Sequence, residues 1–206
     1  MFFKLKDKKP INYREMSFHL DGGGVTIVAG LARPDFHQDP VETMSYLRSR
    51  RVGTIFGLDS SPRFFTLASQ FEMAYVDASI PDFTAPSIEL FDKVHQGMIE
   101  QARHGRIIAV HCRQGLGRTG TVLAALKLRE MSHSESFLES GTKSDCMVQV
   151  YDSPVKCTQN VRDAVIAVRA FDGCGGAVEV KDQIDCLSLY EEHLLSNLSL
   201  SSRLTV

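Results

Sequence analysis

Residues 111–120 read His-Cys-Arg-Gln-Gly-Leu-Gly-Arg-Thr-Gly and set a nucleophile, Cys112, six positions before a fixed cation, Arg118. Those residue types at the ends of a glycine-bearing segment point to chemistry on a bound oxyanion. A phosphate monoester dianion needs donors on its free oxygens, a nucleophile in line with the leaving oxygen, and an acid beside that oxygen. Backbone N–H groups along Arg113, Gln114, Gly115, Leu116, Gly117 and Arg118 can supply the donors if the segment curls around the anion. Gly115 and Gly117 permit the backbone angles and close approach that this needs. Arg118 adds a planar fork able to grip two oxygens at once. The same positive surroundings favour the thiolate of Cys112, the reactive form of a thiol. Thr119 is expected to donate its hydroxyl to that sulfur. Thiolate attack on phosphorus would leave a phosphocysteine that water hydrolyses. The His111 side chain emerges on the opposite face from Cys112 and is expected to brace the loop by hydrogen bonds, not to act as a base.

The leaving oxygen also needs a proton, so a carboxylic acid should hang over the loop. Asp82 is the strongest candidate. It lies thirty positions before Cys112, in the proline-bracketed stretch Pro81-Asp82-Phe83-Thr84-Ala85-Pro86, after a strand-like run. Asp77, Asp59 and Asp92 are the alternatives. Asp77 sits at a strand end and reads as structural, and Asp92 reads as a solvated helix residue.

These groups must be held by elements. The run Ile107-Ile108-Ala109-Val110 reads as a buried strand feeding Cys112, and 121–130 reads as the helix leading out, with Val122, Leu123 and Leu126 inward. Upstream, 25–29, 52–56 and 73–76 are strand candidates. Gly22-Gly23-Gly24 precedes the first, and Gly30 to Pro34 reads as a turn or loop. Val41, Met44 and Leu47 mark one face of a short helix. Ser87 can cap a helix with the stripe Ile88, Phe91, Val94 and Met98, which Gly105 ends. Val161, Ala164, Val165 and Val168 give a helical repeat, and Val180, Ile184, Leu187, Tyr190 and Leu194 a final helix. Strands alternating with helices predict an α/β fold with a central, mostly parallel sheet flanked by helices. The reading is one catalytic domain over 1–206, with a polar insertion at about 132–158 forming a surface loop with a short hairpin.

The bulk numbers fit that picture. At 206 residues and 43% hydrophobic, the chain can bury a sizeable core. A formal net charge of −2 argues against nucleic acid or an anionic membrane as the main partner. No apolar run reaches transmembrane length, and the opening MFFKLKDKKP lacks the apolar stretch of a signal peptide. Five cysteines, at 112, 146, 157, 174 and 186, make an odd count without metal-ligand spacing. A soluble cytoplasmic protein needing no metal or cofactor is expected. The sequence leaves the oligomeric state open.

Cys-x-x-x-x-x-Arg followed by Thr119 and preceded by His111 resembles the signature of the protein tyrosine phosphatase superfamily. Its mid-chain position, with an aspartate loop upstream, is similar to the dual-specificity branch. The low-molecular-mass enzymes carry the signature near their N-terminus, and the large tyrosine-specific enzymes need a longer domain. Ala29-Gly30-Leu31-Ala32-Arg33-Pro34 and Ile80-Pro81-Asp82-Phe83 with Pro86 are similar to segments of small atypical dual-specificity phosphatases of the VHZ type. The resemblance covers about 20–131, resumes weakly over 161–190, and fails over 132–160. It implies Cys112 as nucleophile, Arg118 as phosphate ligand, Asp82 as general acid, and Thr119 as the group that helps expel the thiolate. It implies a phosphoprotein substrate: phosphotyrosine, with phosphoserine and phosphothreonine open. A phosphoinositide substrate is an alternative with partial support, since Arg113 is basic but the fourth loop position is apolar Leu116. A non-catalytic phosphate-binding adaptor is a third reading, although cysteine, arginine and acid are all present.

Overall fold

A computed structural model describes residues 8–20, 23–59, 61–141 and 145–203. Gly22, residues 1–7 of the opening stretch and 142–144 of the polar insertion lie outside the described residues. Five short runs, most of them rich in β-branched and apolar residues, pair into one sheet: β1 (Arg14–Leu20), β2 (Gly24–Ala32), β3 (Val52–Gly57), β4 (Ala74–Asp77) and β5 (Ile107–Cys112). Their order is β1-β2-β5-β3-β4. β1 runs antiparallel to β2, and the other three pairings are parallel. The expected α/β class with a mostly parallel central sheet is therefore borne out. β3 is buried along its whole length, as a strand with both faces covered must be.

Alternation along the strands builds two cores. Ala29, Leu31, Ile55 and Ala109 face α1 (Pro40–Ser49) and α2 (Pro62–Gln70), packing with Met44, Leu47, Phe64 and Ala68. Val28, Phe56, Ile108, Val110 and Cys112 face the other side. There they meet α3 (Ile88–Arg103) and α4 (Gly117–Met131), with α6 (Gln159–Arg169) and α7 (Lys181–Arg203) behind. The expected stripes are buried at Phe91, Val94 and Met98 on α3 and at Val161, Ala164, Val165 and Val168 on α6. The Ser87 hydroxyl caps α3 by accepting from the Leu90 N–H.

The structure departs from the sequence reading at several points. β1 was not anticipated, although Arg14, Met16 and Phe18 alternate inward. Nor was α2, which starts at a proline after Ser61. On α1, Val41 is exposed and Thr43 takes an inward place instead. Gly30 to Ala32 belong to β2, not to a turn. Gly30 pairs with Arg14 of β1, and a Cβ there would meet Leu123 Cδ1 at 2.8 Å and Arg14 Cζ at 3.2 Å. That glycine serves close packing. α4 begins at Gly117, so Arg118 and Thr119 are helical residues. The polar insertion holds a helix, α5 (Glu135–Gly141), and the expected hairpin, β6 (Cys146–Gln149) with β7 (Pro154–Cys157). Val148, Val150, Val155 and Cys157 seat the hairpin on the core. Among the described residues, no helix is long and apolar enough to cross a membrane.

Candidate active site

β5 delivers Cys112 to the carboxyl end of the parallel strands, and α4 starts only five residues later. Open α/β sheets bind ligands at that edge. Period-two alternation puts Cys112 on the α3–α4 face and His111 on the α1–α2 face. Cys112 is 3% exposed, at the base of a cleft of about 640 Å³. Arg113, Gln114, Gly117, Arg118, Asp82 and Phe83 line the same cleft. Leu116 packs partly on the core. Gly115 is buried with φ +76°, and a Cβ there would lie 2.4 Å from the Leu31 carbonyl carbon and 2.5 Å from the Ala32 nitrogen. Only glycine fits a left-handed turn pressed so closely on another backbone. The N-cap of α4 is Leu116, and no side chain caps the helix start, where the Gly117 N–H instead meets the Glu179 carboxyl.

The Arg118 guanidinium is held from two sides. Its Nη1 donates to the Ile80 carbonyl at 2.8 Å and reaches the Leu58 carbonyl at 3.4 Å. Its Nη2 pairs with Asp82 Oδ1 at 2.7 Å. Asp82 thus hangs over the loop that follows Cys112, in a turn where the Thr84 hydroxyl donates to the Pro81 carbonyl. α7 props that turn: Gln183 Nε2 donates to the Thr84 carbonyl and the Cys186 thiol to the Pro86 carbonyl. The alternative acids are engaged elsewhere. Asp77 accepts from the N–H and hydroxyl of Ser79, Asp59 pairs with Arg33, and Asp92 pairs with Arg129.

One expected contact is absent, and another takes a different form. The Thr119 hydroxyl is buried and makes no hydrogen bond, so the expected donation to the Cys112 sulfur is not formed. His111 meets the loop only at its base, through the Cys112 backbone. Its Nε2 shares a 2.8 Å hydrogen bond with the Tyr75 hydroxyl of β4, beneath the sheet edge. Complete burial, with the charges of Arg33 and Arg118 acting in the same direction, depresses its pKa to about 3. The ring is therefore neutral at physiological pH and braces β5 against β4.

The opposite wall of the cleft holds residues that the sequence reading did not single out: Tyr151, Asp152 and Glu179. Tyr151 and Asp152 occupy the turn of the insertion hairpin. Glu179 follows Val178, a β-branched residue with φ +59°, an uncommon and strained conformation. Arg169 holds that kink, donating to the carbonyls of Ala177, Val178 and Gln149 and so tying the hairpin to it. The Tyr151 N–H and hydroxyl both donate to Glu179. A Cβ on Gly117 would lie 2.0 Å from Glu179 Oε2, so Gly117 makes room for that carboxyl, not for a turn. Burial raises the pKa of Glu179, helped by nearby Asp82, against the pull of Tyr151, Arg118 and the Gly117 N–H. The one sequence hint of this wall was the short hairpin expected within the polar insertion.

A family model described as Tc-R-P, Polymorphic toxin system, DSP-PTPase phosphatase, matches residues 29–131. The tyrosine-protein phosphatase cdcA of Emericella nidulans is 34% identical over 87 residues, 40% of this chain and 14% of that protein. The tyrosine-protein phosphatase cdc-14 of Caenorhabditis elegans is 32% identical over 85 residues, 41% of this chain and 12% of that protein. The matched segment is thus a small part of both relatives. Kinase associated phosphatase shares the fold with a TM-score of 0.61 at 17% identity, over 91% of this chain and 98% of that one. PTPMT1 in complex with PI(5)P does so with a TM-score of 0.59 at 13% identity, over 83% and 94% of the two chains.

Proposed function

The chain belongs to this DSP-PTPase phosphatase family, in the dual-specificity branch of the protein tyrosine phosphatase superfamily, and from that premise we propose that it hydrolyses phosphate monoesters carried by proteins, phosphotyrosine foremost, through a phosphocysteine intermediate. One observation carries the reading. Cys112, Arg118 and Asp82 share a single cleft, with Asp82 paired to the Arg118 guanidinium at 2.7 Å.

The phosphoryl group sits over Cys112, its free oxygens on the loop N–H groups and on Arg118 Nη2, displacing Asp82 from that nitrogen. The thiolate attacks phosphorus, the P–O bond to the leaving group breaks, and protonated Asp82 gives its proton to the departing oxygen. Water then attacks the phosphocysteine, and the Asp82 carboxylate takes up a water proton. The products are inorganic phosphate and the restored thiolate. Thr119 joins this cycle only if its hydroxyl turns to the sulfur as charge returns there.

Tyr151 and Phe83, 66% and 56% exposed, offer aromatic faces at the cleft mouth, which suits an aryl ester on a peptide. Asp152 and Glu179 add negative charge against polyphosphorylated substrates. The phosphoinositide reading draws on Arg113, an exposed cation beside Arg118 at the rim.

A screen of phosphotyrosyl, phosphoseryl and phosphothreonyl peptides beside PI(5)P, with Cys112→Ser as control, tests this function. The phosphotyrosyl peptides should turn over fastest, and Cys112→Ser should lose at least about a thousand-fold. Near-normal turnover by Cys112→Ser refutes the mechanism, and a preference for PI(5)P replaces the substrate class. Binding of phosphopeptide without phosphate release would make the protein an adaptor. Asp82→Ala should slow phenyl phosphate about a hundred-fold and barely slow 4-nitrophenyl phosphate, whose leaving group needs no acid.

A further inference from the structure

Three successive carbonyls of the nucleophile loop are pinned from behind. The Arg33 N–H donates to the Arg113 carbonyl at 3.1 Å. Asn12 Nδ2 donates to the Gln114 carbonyl at 2.8 Å. Arg14 Nη1 donates to the Gly115 carbonyl at 2.7 Å. In a trans peptide, the carbonyl of one residue and the N–H of the next point in opposite directions. Pinning these carbonyls backwards therefore turns the N–H groups of Gln114, Gly115 and Leu116 forwards, towards the cleft. Among the described residues, none of those three N–H groups donates to another protein atom.

Two of the three pins, Asn12 and Arg14, come from a segment that carries no loop chemistry of its own. The Ile11 carbonyl accepts from the Ala32 N–H, which lays Asn12 beside the end of β2. Asn12 has φ +52°, a left-handed conformation that asparagine tolerates. Arg14 opens β1, opposite Gly30, and the missing side chain of that glycine leaves room for its guanidinium. Arg14 is 2% exposed. Among the described residues it pairs with no carboxylate, and its Nε and Nη2 are buried without hydrogen-bond partners. Burial works against its charge, while Cys174, which the guanidinium reaches as a hydrogen-bond partner, and Cys112 work for it. A buried cation without a counter-ion is costly unless an anion visits its neighbourhood. A thiolate at Cys112 and a phosphate above it would be such anions.

We propose that Asn12 and Arg14 are positioning residues for the proposed phosphatase reaction: they hold the Gln114 and Gly115 carbonyls away from the cleft, so that the loop N–H groups are set for the phosphoryl oxygens before substrate arrives. Arg14 also places a fixed positive charge behind the nucleophile. Neither residue touches the substrate. The inference rests on the loop being a phosphate cradle, and its test separates that premise from turnover.

The experiment compares Arg14→Met, Arg14→Lys and Asn12→Gly with the parent chain. Glycine at position 12 keeps the left-handed backbone and removes only the amide. Inorganic phosphate is titrated calorimetrically, circular dichroism reads the fold, and kcat/KM is measured on phenyl phosphate and 4-nitrophenyl phosphate. Arg14→Met should weaken phosphate about 10-fold and lower kcat/KM about 100-fold on both esters alike, because the cradle serves the phosphoryl oxygens and not the leaving group. Arg14→Lys, which keeps charge but loses the fork, should fall between. Asn12→Gly should weaken phosphate several-fold, the size of one ordinary hydrogen bond. A folded Arg14→Met with unchanged phosphate affinity, or a loss confined to the poorer leaving group, overturns the proposal. Should Arg14→Met fail to fold, Asn12→Gly decides: unchanged phosphate affinity refutes the cradle role. If no ester is hydrolysed by the parent chain, the phosphatase reading fails, while the phosphate titration still reads the clamp.

Discussion

The two walls of the cleft are built in different ways. The wall holding Cys112 is one continuous stretch, β5, a short loop and α4, and its working groups are nearly inaccessible. Its shape rests on backbone, a left-handed Gly115 and a helix start without an N-cap side chain, and on the Asn12 and Arg14 side chains that hold its carbonyls from behind. The facing wall is gathered from a hairpin turn and a strained segment after α6, and its aromatic group is largely exposed. It is tied down by side chains, chiefly Arg169 and the Tyr151–Glu179 contact. The family model covers the first wall and stops at residue 131. The contrast teaches that the loop after Cys112 takes its shape from main chain and from side chains buried behind it, whereas the facing wall takes its shape from side chains nearer the surface, which are easier to exchange.

Substitutions can break or sharpen that division. Arg118→Lys should cost most, about 10²–10³-fold in kcat/KM on aryl phosphates. Lysine cannot hold the Ile80 carbonyl and a phosphate oxygen in one planar fork. A loss under about three-fold in steady-state kinetics would mean that the near wall tolerates side-chain exchange as the far wall should. Next, Gly115→Ala should destabilise the protein by about 3 kcal/mol, combining left-handed strain with a clash against the Leu31–Ala32 peptide. Urea denaturation reads this, and an unchanged midpoint would show that backbone shape does not fix the loop.

A smaller effect concerns His111, the brace under the near wall. Its pKa is depressed to about 3 in the folded state, so stability is present above the unfolded value of about 6.5 and is lost as pH falls towards 3. His111→Gln, which keeps a partner for Tyr75, should flatten the acid limb of stability against pH. An identical acid limb in the variant would place the titrating group elsewhere. Smallest is Glu179→Gln on the far wall. A carboxyl with a raised folded pKa holds its proton longer in the native state, so its contribution is lost as pH rises through that pKa. The glutamine variant should melt about 2 °C higher than the parent at pH 8 and match it near pH 4. A lower melting point at pH 8 would show that the carboxylate holds the far wall together more than its burial costs.

The legible parts of the sequence were those whose partners are close in the chain. The run from Ile107 to Arg118 announced a strand, a glycine loop and an anion site because each feature rests on local backbone geometry. The stripes of α3 and α6 were legible because helical periodicity repeats within a few residues. β1 was missed because its most informative residue is a buried arginine, which reads as surface until its partner Gly115, 101 positions away, is in place. Gly30 was misread as a turn because a glycine kept for close packing has the same letter as one kept for its φ. Thr119 was expected to serve the sulfur because sequence gives proximity but not hydroxyl direction.

By itself, the sequence determined the chemical kind of this site: a thiol, a guanidinium and glycines in one segment admit few uses other than an oxyanion. It also determined the α/β class, through alternating strand and helix periods. Tertiary structure alone decided that Asp82 rests on Arg118, which side chains pin the loop from behind, and that an insertion hairpin closes the cleft. Each of those depends on contacts between segments far apart in the chain, and no local propensity records where such segments meet.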